Sequence, residues 1–171
     1  MADQEELLAD LAEMLRSRFY GKYRGTVTAV DSTTLQIRAA VPAVLGDTPT
    51  NWCLPCVPYA GPNAGLFLIP DVGAAVWIEF EGGDISLPIW SGCLWRAGEL
   101  PSDAAPTVRG LVTKAPHKLL FDDGGSAVSL EDPNGNTVSL DGSGISMARG
   151  SQSAVVSDSS VSINDGAMEV S

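Results

Sequence analysis

Glu79, Glu81 and Asp84 place three carboxylates around a Gly82-Gly83 turn, and a pair of carboxylates is what glycoside hydrolysis requires. That chemistry also needs a cleft that drives the two pKa values apart. Alternation instead puts Glu79 and Glu81 together on one solvated strand face. Cys53-Leu54-Pro55-Cys56 has the spacing of a redox pair, but no βαβ pattern surrounds it. With Cys93 the cysteines are odd in number, so reduced thiols in a core are expected rather than a disulfide framework. Asp132-Pro133-Asn134-Gly135-Asn136 opens like a calcium loop. It then carries Thr137 where glycine is needed and Ser143 where a bidentate glutamate is needed, so a tight turn at Asn134-Gly135 is the better reading. His117 is the only histidine. A metal site built on it would require three copies on a symmetry axis with supporting second partners, and a hydrogen-bonded junction residue is the plainer expectation. No catalytic residue, metal ligand or cofactor is therefore expected.

The chain has 171 residues, 44% of them hydrophobic, and a formal net charge of -11. That length suits one or two modest domains. Arg38 is the only basic residue between Gly25 and Trp95, so a phosphate backbone would be repelled and nucleic acid is excluded as a partner. No apolar run is long enough to cross a membrane as a helix, and Met1 to Asp10 is acidic where a secretory signal would be basic and then apolar.

The elements that would position any site fall into three kinds. Leu7, Leu8, Leu11 and Leu15 recur at helical spacing in residues 3 to 18, with acids early and Arg16 and Arg18 late, as the helix dipole favours. Such a leucine stripe either packs on its own domain or docks on another subunit. From Tyr23 the period becomes two. Val27 and Ala29 lead to a turn at Asp31-Ser32-Thr33, after which Leu35, Ile37, Ala39 and Val41 share a face. Further strands are expected at 52–57, 66–69, 75–81 and 86–94, with Val76, Ile78 and Phe80 inward. Strands of that number in about seventy residues suggest a small closed barrel of the OB type. All four tryptophans, Trp52, Trp77, Trp90 and Trp95, lie in it. They are read as core or subunit contacts rather than stacking platforms for bases or sugars. Residues 96 to 110 are Pro- and Ala-rich without apolar periodicity and read as a linker.

Beyond the linker, apolar triplets recur: Leu119-Leu120-Phe121, Val128-Ser129-Leu130, Val138-Ser139-Leu140, Ile145-Ser146-Met147, Val161-Ser162-Ile163 and Met168-Glu169-Val170. Turn formers such as Asp122-Asp123-Gly124-Gly125 and Asp141-Gly142-Ser143-Gly144 separate them. Each triplet reads as a short rung. So few large side chains cannot offset the ordering of so many residues within one chain. Leu130, Leu140, Ile145, Met147 and Ile163 are therefore expected to point into a core shared by several copies, with backbone hydrogen bonds made between chains.

With those residues in view, the chain resembles the central spike proteins of contractile tails, the phage baseplate assembly protein V family, related to the VgrG spikes of type VI secretion. The barrel part of the resemblance rests on Gly25-Thr26-Val27, Val41-Pro42, Trp52-Cys53-Leu54-Pro55, Pro70-Asp71-Val72-Gly73 and the run Val76-Trp77-Ile78-Glu79-Phe80-Glu81-Gly82-Gly83-Asp84. Lys114-Ala115-Pro116-His117-Lys118-Leu119-Leu120-Phe121 and Asp132-Pro133-Asn134-Gly135-Asn136-Thr137-Val138-Ser139-Leu140 carry it into the rungs. The resemblance implies a mainly β protein: an N-terminal amphipathic helix (1–22), an OB-fold barrel (23–95), a linker (96–110) and an intertwined trimeric β-helical spike (111–171). It implies a homotrimer in a virion tail baseplate or related particle, assembled in the host cytoplasm. Leu7, Leu11, Leu15, Arg16 and Arg18 would dock it to hub and inner tube, and a target membrane would be met only on firing. Some relatives carry a lysozyme domain or a metal-binding histidine tip. Neither matches residues 96–110 or 167–171, so a separate PAAR-like tip protein is expected. The rival is a stand-alone OB-fold module binding oligosaccharide or nucleic acid.

Overall fold

The computed structural model describes residues 2 to 170, without the side chains at 2, 3, 14–16 and 169. It divides into two compact units, residues 1–98 and 99–171.

The first unit opens with helix α1 (Ala2–Arg16). The helix ends where Ser17 N–H donates to the Glu13 carbonyl and Phe19 N–H turns away to the Gly83 carbonyl, both at 2.9 Å. Strands β1 (Tyr23–Val30) and β2 (Ile37–Ala40) follow, then the short helix α2 (Pro42–Leu45), β3 (Leu54–Pro55), a small hairpin of β4 (Ala60–Gly61) and β5 (Ala64–Gly65), β6 (Ala75–Phe80), a 3-10 turn (Glu81–Gly83) and β7 (Pro88–Cys93). The main sheet has the order β2-β1-β6-β7-β3, with β3 parallel to β7. Register shifts between Val27 and Ala29 and between Trp77 and Ile78 let this sheet curl. An isolated bridge from Ile37 to Cys53 then joins the β2 edge to the residue before β3, which closes the ring.

Alternation fills the inside. Val27, Ile37, Ala39, Val41, Cys53, Val76, Ile78, Phe80 and Trp90 form the buried core. Thr50 is buried and satisfied: its Oγ1 accepts the Ala39 N–H at 3.0 Å, and its own N–H donates to the Ala39 carbonyl at 2.9 Å. Burial raises the Cys53 thiol pKa, which suits an inert core residue. Leu35 departs from the expected alternation. It takes φ +57 in the turn closed by Asp31, whose Oδ1 accepts the Thr33 N–H at 2.7 Å, and its side chain is exposed. Residues 66–69 were expected as a strand but lie outside the sheet, and the segment 52–57 contributes only the two residues of β3.

The second unit is a single eight-stranded antiparallel meander. Its strands are β8 (Val108–Val112), β9 (Lys118–Asp122), β10 (Ala127–Glu131), β11 (Asn136–Asp141), β12 (Gly144–Arg149), β13 (Gln152–Val156), β14 (Val161–Ile163) and β15 (Met168–Val170), neighbours in sequence and in the sheet. Every anticipated triplet is a strand. Each rung bonds to the next rung along the chain. Short loops of turn residues favour that pairing of sequence neighbours. Strand β8 also begins inside the stretch expected as linker. Its central Gly110 hides the alternation, and a Cβ there would sit 2.6 Å from the Leu119 carbonyl oxygen.

Two turns show how tightly the meander is set. At Asp132, Oδ1 accepts the N–H groups of Asn134 at 2.9 Å and Asn136 at 3.0 Å, and those bonds hold the carboxyl well below its ordinary pKa. Gly144 adopts φ +135, and a Cβ there would run into the Val156 carbonyl oxygen.

Candidate functional site

Directly opposed residues in an antiparallel pair project to the same side, so the register sorts the meander into two faces. One face carries Leu111 and Leu119, then Leu119 and Leu130, Leu130 and Val138, Val138 and Met147, Met147 and Ala154, Ala154 and Ile163, Ile163 and Met168, each pair in register. A second column runs beside it through Phe121, Val128, Leu140, Ile145, Val156, Val161 and Val170. The result is an apolar ladder two side chains wide from β9 to β15, continued into β8 by Leu111 beside Arg109, and about 34 Å long over the eight strands at the usual strand spacing. The opposite face is mostly small and polar, with Val108, Val112, Leu120 and Val155 as its larger apolar members. Ser139 and Ser146 share a hydroxyl hydrogen bond of 2.6 Å there. Lys118 sits between Asp103 at 2.7 Å and Glu131 at 3.8 Å, and the close carboxylate raises the lysine pKa and lowers that of Asp103.

Exposure runs against composition. Leu130 is 53% exposed, Ile145 46% and Met147 55%, whereas Ser129, Ser139 and Ser146 on the polar face are half-buried. Leu140 is also exposed and Ile163 half-buried. All five residues expected in a shared core thus lie on the apolar ladder. Sequence reasoning named fewer than half of the ladder. Leu111, Leu119, Phe121, Val128, Val138 and Val156 belong to it as well, and a strict count of two along each triplet would have found most of them. An apolar surface this continuous is not left in water by a protein that stays monomeric.

The helix presents a second unpartnered stripe: Leu7 and Leu8 are each 63% exposed, and Leu11 is exposed too. The side chains of Leu15 and Arg16 lie outside the described residues. Arg18 is engaged at home, 3.6 Å from Asp84 and bonded to the Gly82 carbonyl. Tyr59, Leu66, Phe67 and Leu68 form a third exposed apolar group beside the β4-β5 hairpin, which the expected strand at 66–69 concealed.

The residues with chemical potential take structural roles in this chain. Glu79 is 2.5 Å from Lys22. Asp84 accepts from Ser86 N–H and Oγ, and these bonds, with Arg18 nearby, lower its pKa. Cys56 and Cys93 are exposed and unpaired, with burial of the Cys93 thiol still raising its pKa. His117 N–H donates to Thr113 Oγ1 at 3.2 Å in the turn before β9. Trp90 is buried with its Nε1–H on the Gly92 carbonyl, Trp52 and Trp77 lie under Arg38 and Arg24, and Trp95 is exposed. Among the described residues no group of three His, Cys, Asp or Glu is placed to hold a metal ion, and no helix is long and apolar enough to cross a membrane.

Residues 23–95 match the type VI secretion system/phage-baseplate injector OB domain, and residues 110–169 match the phage baseplate V C-terminal trimerisation domain. No curated protein matches the sequence. The first match covers the closed barrel and the second covers the meander, so the apolar ladder lies in a domain described by its trimerisation.

Proposed function

The chain belongs to the phage baseplate V family of injector spike proteins, and from that premise we propose that it is the homotrimeric central spike of a contractile injection machine. Its role in this family is structural. In our reading three copies turn their ladders inward to make one needle, and the needle transmits force to the target envelope when a sheath contracts. The observation that carries this reading is the exposed apolar ladder. Three ladders facing a common axis bury it, and the polar faces then form the outside. Burial of the three ladders in a shared core is what would resist splaying under load. A division into helix (1–22), barrel (23–95), linker (96–110) and spike (111–171) is the one proposed, with the first strand of the spike, β8, reaching back to Val108.

The exposed stripe of Leu7 and Leu11, extended by Leu15, Arg16 and Arg18, is proposed as the docking surface for hub and inner tube. The outer edge of β15, where Met168 and Val170 are exposed, supports a separate small tip protein of the PAAR-like kind, since an uncovered apolar strand edge is a liability. The setting is a tail baseplate or a related extracellular particle, assembled in the host cytoplasm, with no enzymatic step and no cofactor. Sedimentation of the full chain tests the central claim: an elongated trimer is expected, and a compact monomer at micromolar concentration would overturn it.

A further inference from the structure

The turn between β10 and β11 uses a residue pair that its geometry requires and that is chemically labile. Gly135 takes φ +79, a conformation that favours glycine, and Asn134 precedes it at the exposed tip. Of Asn51, Asn63, Asn134, Asn136 and Asn164, only Asn134 is followed by glycine. With no side chain on the following residue, the main-chain nitrogen there reaches the asparagine amide carbon most easily. Nothing lies within 4 Å of where a Gly135 Cβ would stand, so that side of the turn is open to water. Asparagine is a thermolabile residue through this kind of ring closure.

The step balances with water as its only co-reactant. The Gly135 nitrogen gives up its proton and attacks Asn134 Cγ, a new C–N bond closes a succinimide, the Cγ–Nδ2 bond breaks, and ammonia leaves with the proton. Water then opens the ring at either carbonyl, giving aspartate or isoaspartate. Asp132 opposes each move. Its main-chain carbonyl accepts the Gly135 N–H at 3.2 Å, which engages the proton that the nitrogen must lose. Its Oδ2 accepts Asn134 Nδ2–H at 3.1 Å and its Oδ1 accepts the Asn134 N–H at 2.9 Å, so the amide is held by its leaving group. The Asn136 N–H and Nδ2–H, at 3.0 and 2.7 Å, fix the same carboxylate in place from the other side. Its negative charge also disfavours the charge that builds on nitrogen and oxygen as the ring closes.

We propose that Asn134 is a self-modification site, converted to aspartate and isoaspartate through a succinimide with Gly135, and that the Asp132 carboxylate sets the rate by holding the turn against ring closure. This chemistry belongs to the single chain and needs no second copy. Aspartate at 134 would put a second carboxylate where an amide now donates to Asp132 Oδ2, and two carboxylates at that distance repel. Isoaspartate lengthens the main chain by one atom. It would pull the Asp132 N–H away from the Asn136 carbonyl, now 3.1 Å apart, beside the paired Glu131 and Thr137. Either product adds a negative charge to the turn that sets β10 on β11.

Peptide mapping of the full chain by mass spectrometry, after prolonged warm incubation at neutral pH, tests it. Conversion is expected at Asn134 and not at the other asparagines, with isoaspartate among the products. In the folded chain Asp132→Ala should speed that conversion by about tenfold, the scale set by losing hydrogen bonds to a charged group. Asp132→Asn keeps an acceptor without the charge and should fall between parent and Asp132→Ala. Should Asp132→Ala fail to fold, the folded parent is compared with the same chain in strong denaturant, where Asn134 should again convert about tenfold faster. Asn134→Asp should lower the melting temperature of the meander as ageing of the parent does. Conversion that begins at another asparagine, a rate in folded Asp132→Ala no higher than the parent's, or a parent left unconverted even in denaturant would each overturn the assignment.

Discussion

The barrel and the meander solve the same problem in opposite ways. In the barrel, Val27, Ile37, Val76 and Ile78 are at most 1% exposed, because a curled sheet closes on itself through the Ile37–Cys53 bridge. In the meander no side chain of the ladder reaches that burial, and its larger members stay about half-exposed although every strand is paired. Every strand is therefore paired in both units, while only one of them buries a core of its own. A sheet of short rungs pairs its strands within the chain but has no second layer to cover its apolar face, which matches a domain described by its trimerisation. Solvent accessibility in one chain thus separates the unit that buries its own core from the unit that leaves an apolar face open.

The sharpest way to break this comparison is to charge the ladder. Ile145→Asp would bring three carboxylates near one axis, where an unpaired buried charge is costly. Loss of the trimer on a sizing column is expected, with the barrel still folded by the emission of buried Trp90. An intact trimer of undiminished heat stability would show that the ladder is not the shared core.

The matching change in the barrel should have the converse signature. Ile78→Ala leaves a cavity in a site with no exposure, which typically costs about 2 to 5 kcal/mol. The barrel transition in denaturant should fall accordingly while the subunit count stays at three. If this variant instead dissociates the trimer with the barrel still folded, the two units are not independent in the way proposed.

Much of this division was legible from residues alone. Val76, Ile78 and Phe80 alternate cleanly and are buried, and the triplets at 119–121 and 145–147 are strands as their flanking turns required. What escaped detection had physical reasons. In β8, Arg109 stands on the ladder face opposite Phe121 while Val108 and Val112 fall on the other face, and in β13 the sequence Gln152-Ser153-Ala154-Val155-Val156 puts Val155 on the polar face in register with Ser146, so the alternation is blurred in both. Leu35 reads as an inward residue by period, but the Asx turn at Asp31 claims its backbone first. The identity of the strand partners was invisible to composition, since a rung pattern fits pairing within or between chains equally well. Loop length decides that, and every loop of the meander is short.

The turns of the meander offer a gentler probe. Asp132 gains its hydrogen bonds as a carboxylate, so its pKa in the fold lies below the ordinary 3.8. A depressed acid stabilises fully above its unfolded pKa, and that contribution drains away as pH falls through the folded value. Acidification from pH 6 towards pH 2.5 should lower the melting temperature of the meander. Asp132→Asn should make the decline shallower, though not flat, because Asp141 and Asp103 are also depressed. An unchanged pH profile in that variant would remove Asp132 from the account.

The smallest effect on stability is expected at the helix, and there it discriminates best. Leu7 and Leu11 are exposed, and neither belongs to the barrel core, so Leu7→Ser with Leu11→Ser should change stability by no more than about 0.5 kcal/mol, as surface substitutions do. The trimer should persist. The ladder is proposed as a surface that the chain's own copies cover, and the leucine stripe as one that a different protein covers. Co-purification with hub or tube protein should consequently be lost in the double variant while sedimentation is unaltered. Retained co-purification would reject the docking assignment, and a trimer that falls apart on losing these leucines would move the stripe into the self-association surface instead.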